Sequence, residues 1–146
     1  MFEIKKILVP TDFSAASDLA LRYGNEMAKT FGAKMTVLHV ADDPILFAET
    51  TSDEYRAQTV QESDAKLQAN VRPVLGEIEG IELLSKCGSA ATEIVEYGKT
   101  QSIDMVVMGS HGRSAMASML LGNVAEHVVR HSLCPVMAVR SPEHDF

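Results

Sequence analysis

Tryptophan is absent from this 146-residue chain, and phenylalanine and tyrosine together number eight. An aromatic platform for stacking single-stranded nucleic acid therefore lacks its material. Basic charge is also short. Thirteen Lys and Arg stand against 20 Asp and Glu, a formal charge of −7 that excludes a general polyanion binder. Much of the excess is local, because residues 42–64 hold seven acids against Arg56 alone. That block reads as a solvated loop and helix face, with a partner-binding surface as the alternative. Cys87 and Cys134 give neither a CxxC nor a metal-ligand spacing, and both are expected to be reduced, structural thiols. No apolar run approaches the roughly 18 residues of a membrane span; Asp104 and Gly109 bracket even the stretch Met105 to Met108. Met1 to Lys6 pass into Ile7-Leu8-Val9-Pro10 without a signal-peptide h-region or cleavage site, so the cytoplasm is the expected compartment.

What is present is a globular balance, 46% hydrophobic and 23% charged, in a length suited to one domain over residues 1–146. Its apolar residues alternate between two periods. Residues 4–10, IKKILVP, read as a strand that Pro10 terminates. Thr11, Asp12 and Ser14 are all candidate N-caps for a following helix, whose apolar face is Ala16, Leu19, Ala20, Tyr23, Met27 and Phe31 and whose stop is Gly32. A second strand is expected over 34–40, then an irregular acidic segment over 41–51. A long helix runs from there to about Gly76, with Pro73 disturbing its last turns. A weaker strand over 80–86 precedes a helix opened by Ser89 or Thr92 with Ala91, Ile94, Val95 and Gly98 inward. The strongest strand, 103–108, is apolar at nearly every position, as a strand covered on both faces must be. A fourth helix through Leu121, Val124, Val128 and His131 leads to a fifth strand, 135–140, and a polar tail from Ser141. Five strands separated by four helical segments predict an α/β fold, an open, doubly wound parallel sheet with helices on both faces.

In such sheets ligands bind beyond the carboxyl ends of the strands, where strand order reverses. Two loops there are unusual: Pro10-Thr11-Asp12-Phe13-Ser14 after the first strand, and Gly109-Ser110-His111-Gly112-Arg113-Ser114 after the fourth. The second continues to Gly122-Asn123 with the spacing G-x2-G-x9-G, placing three glycines where composition predicts about one. Glycine admits backbone amides to phosphate oxygens, the start of the fourth helix offers an anion site, and Arg113 can add a charged contact. The competing reading is a strand end, a turn and a cap. No Walker A sequence and no GxGxxG occur. Asp12 is either a plain N-cap or an acceptor for ribose hydroxyls or an adenine amino group. His39, on a strand, reads as a core or interface residue, whereas His111 lies inside the glycine loop. His127 and His131, at i and i+4, lack a third ligand and suit a helix C-terminus better than a metal.

The opening KKILVPTDFS, the segment VVMGSHGRS, the nine-residue spacing to Gly122 and the ending VAEHVVRHSLCPVMAVR together resemble the universal stress protein family, in its ATP-binding branch, from about Ile4 to Arg140. The resemblance implies the strand order 3-2-1-4-5 and an ATP ligand, with Mg²⁺ or Mn²⁺ held by its phosphates. It implies that Asp12, flanked by Pro10 and Thr11, holds the adenosine part and that the backbone of Val40 meets adenine. Met108 and Gly109 would line the ribose and α-phosphate region, and Gly112, Gly122, Asn123 and Val124 would present amides to phosphate, beside His111 and Arg113. A homodimer through the fifth strand, Pro135 to Arg140, is expected because a bare apolar edge is an aggregation hazard and because the resemblance points the same way. Two departures stand out: Asn123 where the family's pattern has Ser or Thr, and Ala115 where many members carry glycine. The expected function is an ATP-binding regulatory protein of stress physiology with slow or no hydrolysis, since the phosphate loops supply no evident water-positioning carboxylate or glutamine, the nearest acids in sequence being Asp104 and Glu126, and only His111 as a base. The alternatives are a nucleotide-free dimeric scaffold and a slow ATPase of the adenine nucleotide α-hydrolase-like fold, although SGGxDS and HxGH with KMSKS are absent.

Overall fold

The computed structural model describes residues 2–42, 53–112 and 120–141. The chain alternates as β1 (Lys6–Pro10), α1 (Ala15–Phe31), β2 (Lys34–Asp42), α2 (Asp53–Leu75), β3 (Glu82–Gly88), α3 (Ala90–Thr100), β4 (Met105–Gly109), α4 (Asn123–His131) and β5 (Val136–Val139). The strands form one parallel sheet in the order β3-β2-β1-β4-β5, as expected. Successive residues of the central strands feed opposite faces. Ile7, Val9 and Val107 pack with Leu21 of α1 and Leu67 and Val71 of α2, whereas Leu8, Val106 and Met108 pack with Ile94 and Val95 of α3 and Val128 of α4. Each fully buried aliphatic side chain contributes about 1.5–3 kcal/mol, so both faces hold the sheet.

Local chemistry sets the element ends. Of the three candidate caps for α1, Ser14 is the one used: its side chain accepts from the Ser17 amide at 3.2 Å. Gly32 closes the helix in the left-handed conformation, φ 65°. The inward face of α1 differs from the expected stripe, because Ala16, Ala20, Gly24 and Ala28 lie against the sheet while Tyr23 and Phe31 stay about half exposed. Close approach is the reason. A Cβ on Gly24 would sit 2.5 Å from Val9 Cγ2. Pro73 lies inside the last turn of α2, which ends at Leu75 before Gly76 (φ 77°).

Several boundaries shift from the sequence reading, β4 among them, which starts at Met105 rather than 103 and ends at Gly109. β2 continues to Asp42, so Val40 lies inside it, with Ala41 and Asp42 paired to Cys87 and Gly88 rather than opening the acidic loop. β3 begins two residues later than expected because Gly80 (φ 82°) is a turn. Ser141 is buried rather than frayed; the rest of the tail lies outside the described residues. At the amino ends of the strands, Asp104 Oδ2 accepts from the amides of Lys5 at 2.8 Å and Lys6 at 2.9 Å, fastening β4 beside β1. That adjacency makes β1/β4 the switch point: β1 leads to α1 on one face and β4 leads toward α4 on the other.

Candidate functional site

At the carboxyl ends of β1, β2 and β4 a cleft of about 380 Å³ opens. Pro10, Thr11 and Asp12 line it from β1 and the corner beyond. Val40 lines it from β2, Met108 and Gly109 from β4, His111 and Gly112 from the next loop, and Gly122, Asn123 and Val124 from the start of α4. Every site residue expected from the sequence faces this one cleft except Arg113, which, like Ala115, lies outside the described residues. Ala90 and Ile94 of α3 add an apolar wall beside Val40 and Met108.

Asp12 is not the helix cap. Its Oδ1 accepts from the Ser14 amide and from Ser17 Oγ, each at 3.0 Å. Those two donors fix the carboxylate at the head of α1, and its Oδ2 lies on the Gly112 side of the cleft. The corner carrying Asp12 is sharply bent: Phe13 adopts φ 65°, a conformation that L side chains rarely take. The Phe13 amide donates to Thr11 Oγ1 at 3.1 Å, which holds the bend.

The three loop glycines have packing reasons that the phosphate reading did not include. A Cβ on Gly109 would fall 2.9 Å from Ala16 Cβ and 3.0 Å from two backbone atoms of α1; one on Gly112 would fall 2.5 Å from Asp12 Oδ2. Gly122 packs against the backbone of residues 110–112, and its amide donates to the Ser110 carbonyl at 2.6 Å. That amide is thus engaged within the protein, a correction to its expected role as a phosphate donor. The amides of Asn123, Val124 and Ala125 remain as the first-turn donors of α4, whose N-cap makes no side-chain hydrogen bond. With the aligned peptide dipoles behind them they favour an anion.

His111 is 2% exposed, with Nδ1 3.0 Å from Ser110 Oγ, so its ring is packed into the wall of the cleft. Asp104 is occupied at the opposite end of the sheet, and Glu126 pairs with Arg130 at 3.0 Å. The His127 and His131 rings meet at 4.4 Å between centroids, tilted by 44°, in the second half of α4. Among the described residues no three His, Cys, Asp or Glu side chains group to hold a metal, and none of the helices is long and apolar enough to cross a membrane.

Sequence reasoning missed Phe13, His39 and Lys66 as wall residues. His39 Nδ1 donates to the Thr11 carbonyl at 2.8 Å and its ring lies 4.3 Å from that of Phe13, while Lys66 Nζ sits 5.1 Å from the Phe13 centroid. Burial pushes the His39 pKa below its ordinary 6.5, partly offset by the bond to Thr11. The signal available in the sequence was the expected end of the first strand at Pro10 before a second strand able to run further.

Comparison with known proteins sharpens this description. The sequence profile of the universal stress protein family matches residues 3–140. Universal stress protein MJ0531 of Methanocaldococcus jannaschii is 31% identical over 145 residues, 97% of this chain and 85% of that one. The solved structure of protein MJ0577 from the same organism superposes with a TM-score of 0.71 at 28% identity, covering 94% of this chain and 96% of that one. The universal stress protein family protein At3g01520 of Arabidopsis thaliana, solved with AMP bound, shares the fold at 20% identity and a TM-score of 0.63, covering 95% and 94%.

Proposed function

The chain belongs to the universal stress protein family, and from that premise we propose that its cleft binds an adenine nucleotide, ATP in the cell, as a regulatory ligand hydrolysed slowly or not at all. One observation carries the reading. A carboxylate fixed by two donors faces, across a single cleft, a helix start whose first-turn amides have no side-chain cap. A ribose or adenine donor suits the first, a phosphate suits the second, and the apolar wall of Val40, Ala90, Ile94 and Met108 suits the base between. The AMP complex of the Arabidopsis relative supports this use of the fold.

Asp12 orients the adenosine part, and the amides of Asn123 and Val124 receive phosphate oxygens. Mg²⁺ or Mn²⁺, where it accompanies ATP, would be held by the phosphates. Slow turnover is part of the same reading. Phosphoryl transfer needs a group that orients the attacking water; of the groups near the glycine loop in sequence, Asp104 is at the far end of the sheet, Glu126 is paired and His111 is enclosed, while Asp12, which lines the cleft, is assigned to the adenosine part.

Calorimetric titration of protein stripped of ligand tests the reading. Saturable one-to-one binding of AMP and ATP is expected, with Kd on the order of micromolar and turnover below roughly 1 s⁻¹. Absence of binding by any adenine nucleotide would return the scaffold alternative. Self-association through Pro135 to Arg140 is part of the same proposal: β5 is an edge strand with Met137 and Ala138 exposed, and Val129 and Leu133 expose apolar surface close by in sequence. Sedimentation as a monomer at tens of micromolar, the order expected for a moderate interface, would refute it.

A further inference from the structure

β2 outruns β1. Pro10, the last residue of β1, is in register with Leu38, so the next residue of β2, His39, stands level with the corner that follows β1. Its side chain points to the α1/α2 face, the face of its alternate neighbour Val37. There it reaches the corner twice. Nδ1 lies 2.8 Å from the Thr11 carbonyl, and because a carbonyl oxygen only accepts, the proton of the imidazole is on Nδ1. The ring also lies against Phe13, at 4.3 Å between centroids and a 33° tilt.

These contacts bracket Asp12. The residue before it has its carbonyl held by His39, and the residue after it has its ring in contact with His39 and under Lys66 Nζ of α2. Phe13 is also the residue in the left-handed conformation, which is unfavourable for an L side chain and persists only where the surroundings over-determine it. We propose that His39 is a positioning residue of the cleft: by bonding to Thr11 and stacking on Phe13 it fixes the corner from which the Asp12 carboxylate meets the ligand. The inference rests on the nucleotide reading above and adds a residue that makes its contribution through Asp12.

Burial keeps the imidazole neutral at physiological pH, which fits a neutral Nδ1–H donor to a carbonyl. Two substitutions separate the hydrogen bond from bulk. The amide nitrogen of His39→Asn falls close to the position of Nδ1, whereas that of His39→Gln falls nearer Nε2. AMP affinity is expected to stay within about twofold in His39→Asn and to fall about five- to tenfold in His39→Gln, the worth of one hydrogen bond expressed in Kd.

A double-mutant cycle with Asp12→Asn supplies the readout that a purely structural role would not move. If His39 works through Asp12, His39→Gln costs less than about twofold in the Asp12→Asn background. Thermal unfolding of each ligand-free variant accompanies the titrations, so that loss of fold is scored apart from loss of affinity. Undiminished affinity in His39→Gln, equal losses in both histidine variants, or additive losses in the cycle would each overturn the positioning role. A wild-type chain without affinity for AMP would overturn the nucleotide reading itself, and the positioning role with it.

Discussion

Adding one methyl group at Gly112 tests the cleft where the glycine loop meets Asp12. The backbone there is not in the left-handed region, so alanine meets no conformational penalty. The obstacle is Asp12. A Cβ at position 112 would sit 2.5 Å from Oδ2, about 0.9 Å inside the 3.4 Å at which ordinary contact begins. Relief requires the carboxylate to turn, and Oδ1 is held by the Ser14 amide and Ser17 Oγ at 3.0 Å each. Hydrogen bonds to a charged group are worth about 1.5–3 kcal/mol apiece, and Asp12 is only partly buried, so weakening one of them costs about 1–2 kcal/mol. Gly112→Ala is therefore expected to raise the AMP Kd about tenfold, since 1.4 kcal/mol is a factor of ten, while the domain, with the usual 5–15 kcal/mol of stability, stays folded. Titration calorimetry and urea unfolding read the two quantities separately. In the Asp12→Ala background the carboxylate is gone, and Gly112→Ala should then add less than about a twofold change. AMP binding by Gly112→Ala within about twofold of wild type, or a full tenfold loss that survives in the Asp12→Ala background, would refute the reasoning.

Gly109→Ala should behave differently, because its methyl group would meet backbone atoms of Ala16 and Ser17 at 3.0 Å that cannot swing aside. Its urea midpoint is expected to fall by the equivalent of about 1–3 kcal/mol with an unchanged slope, and an unchanged midpoint would count against the close seating of α1 on β4. Asn123→Ser should change ATP affinity by less than about twofold if the first-turn amides of α4 dominate; tenfold tightening would show instead that the missing hydroxyl matters. Protonation of His39 sets a sign for stability against pH. Its folded pKa is depressed, so the unfolded chain takes up the proton first as pH falls below 6.5. The contribution is complete above that value and is lost toward the lower folded pKa, so His39→Asn should flatten the decline in melting temperature between about pH 7 and 5. An identical decline in both proteins would show that other groups govern it.

The alternation of strands and helices was legible because each element carries its own punctuation. Strands covered on both faces read as apolar runs, the cap candidates Thr11, Asp12 and Ser14 and the stop at Gly32 bracket α1, and Pro10 ends β1. With the order of elements known, the rule for doubly wound sheets located the cleft, and the described residues of both loops, Ser110 excepted, line it. Misreadings arose where distance in space mattered more than periodicity. The stripe Ala16, Ala20, Gly24 and Ala28 packs on the sheet because small residues allow closer approach than Tyr23 and Phe31, and hydrophobicity alone ranks them the other way.

The amino-acid sequence by itself determined the fold class, the family resemblance and the two loops, since all three depend on residues near one another along the chain. Only the tertiary structure decided which candidate caps α1, because Asp12, Ser14 and Ser17 compete for the same few groups and the left-handed turn at Phe13 settles their geometry. It alone decided why the glycines are glycines, with Gly109 against α1 and Gly112 against Asp12, since no spacing records what a Cβ would strike. And it alone brought His39 of β2 and Lys66 of α2 to the Asp12 corner, because parallel register and helix crossing are set by packing between segments far apart in the chain.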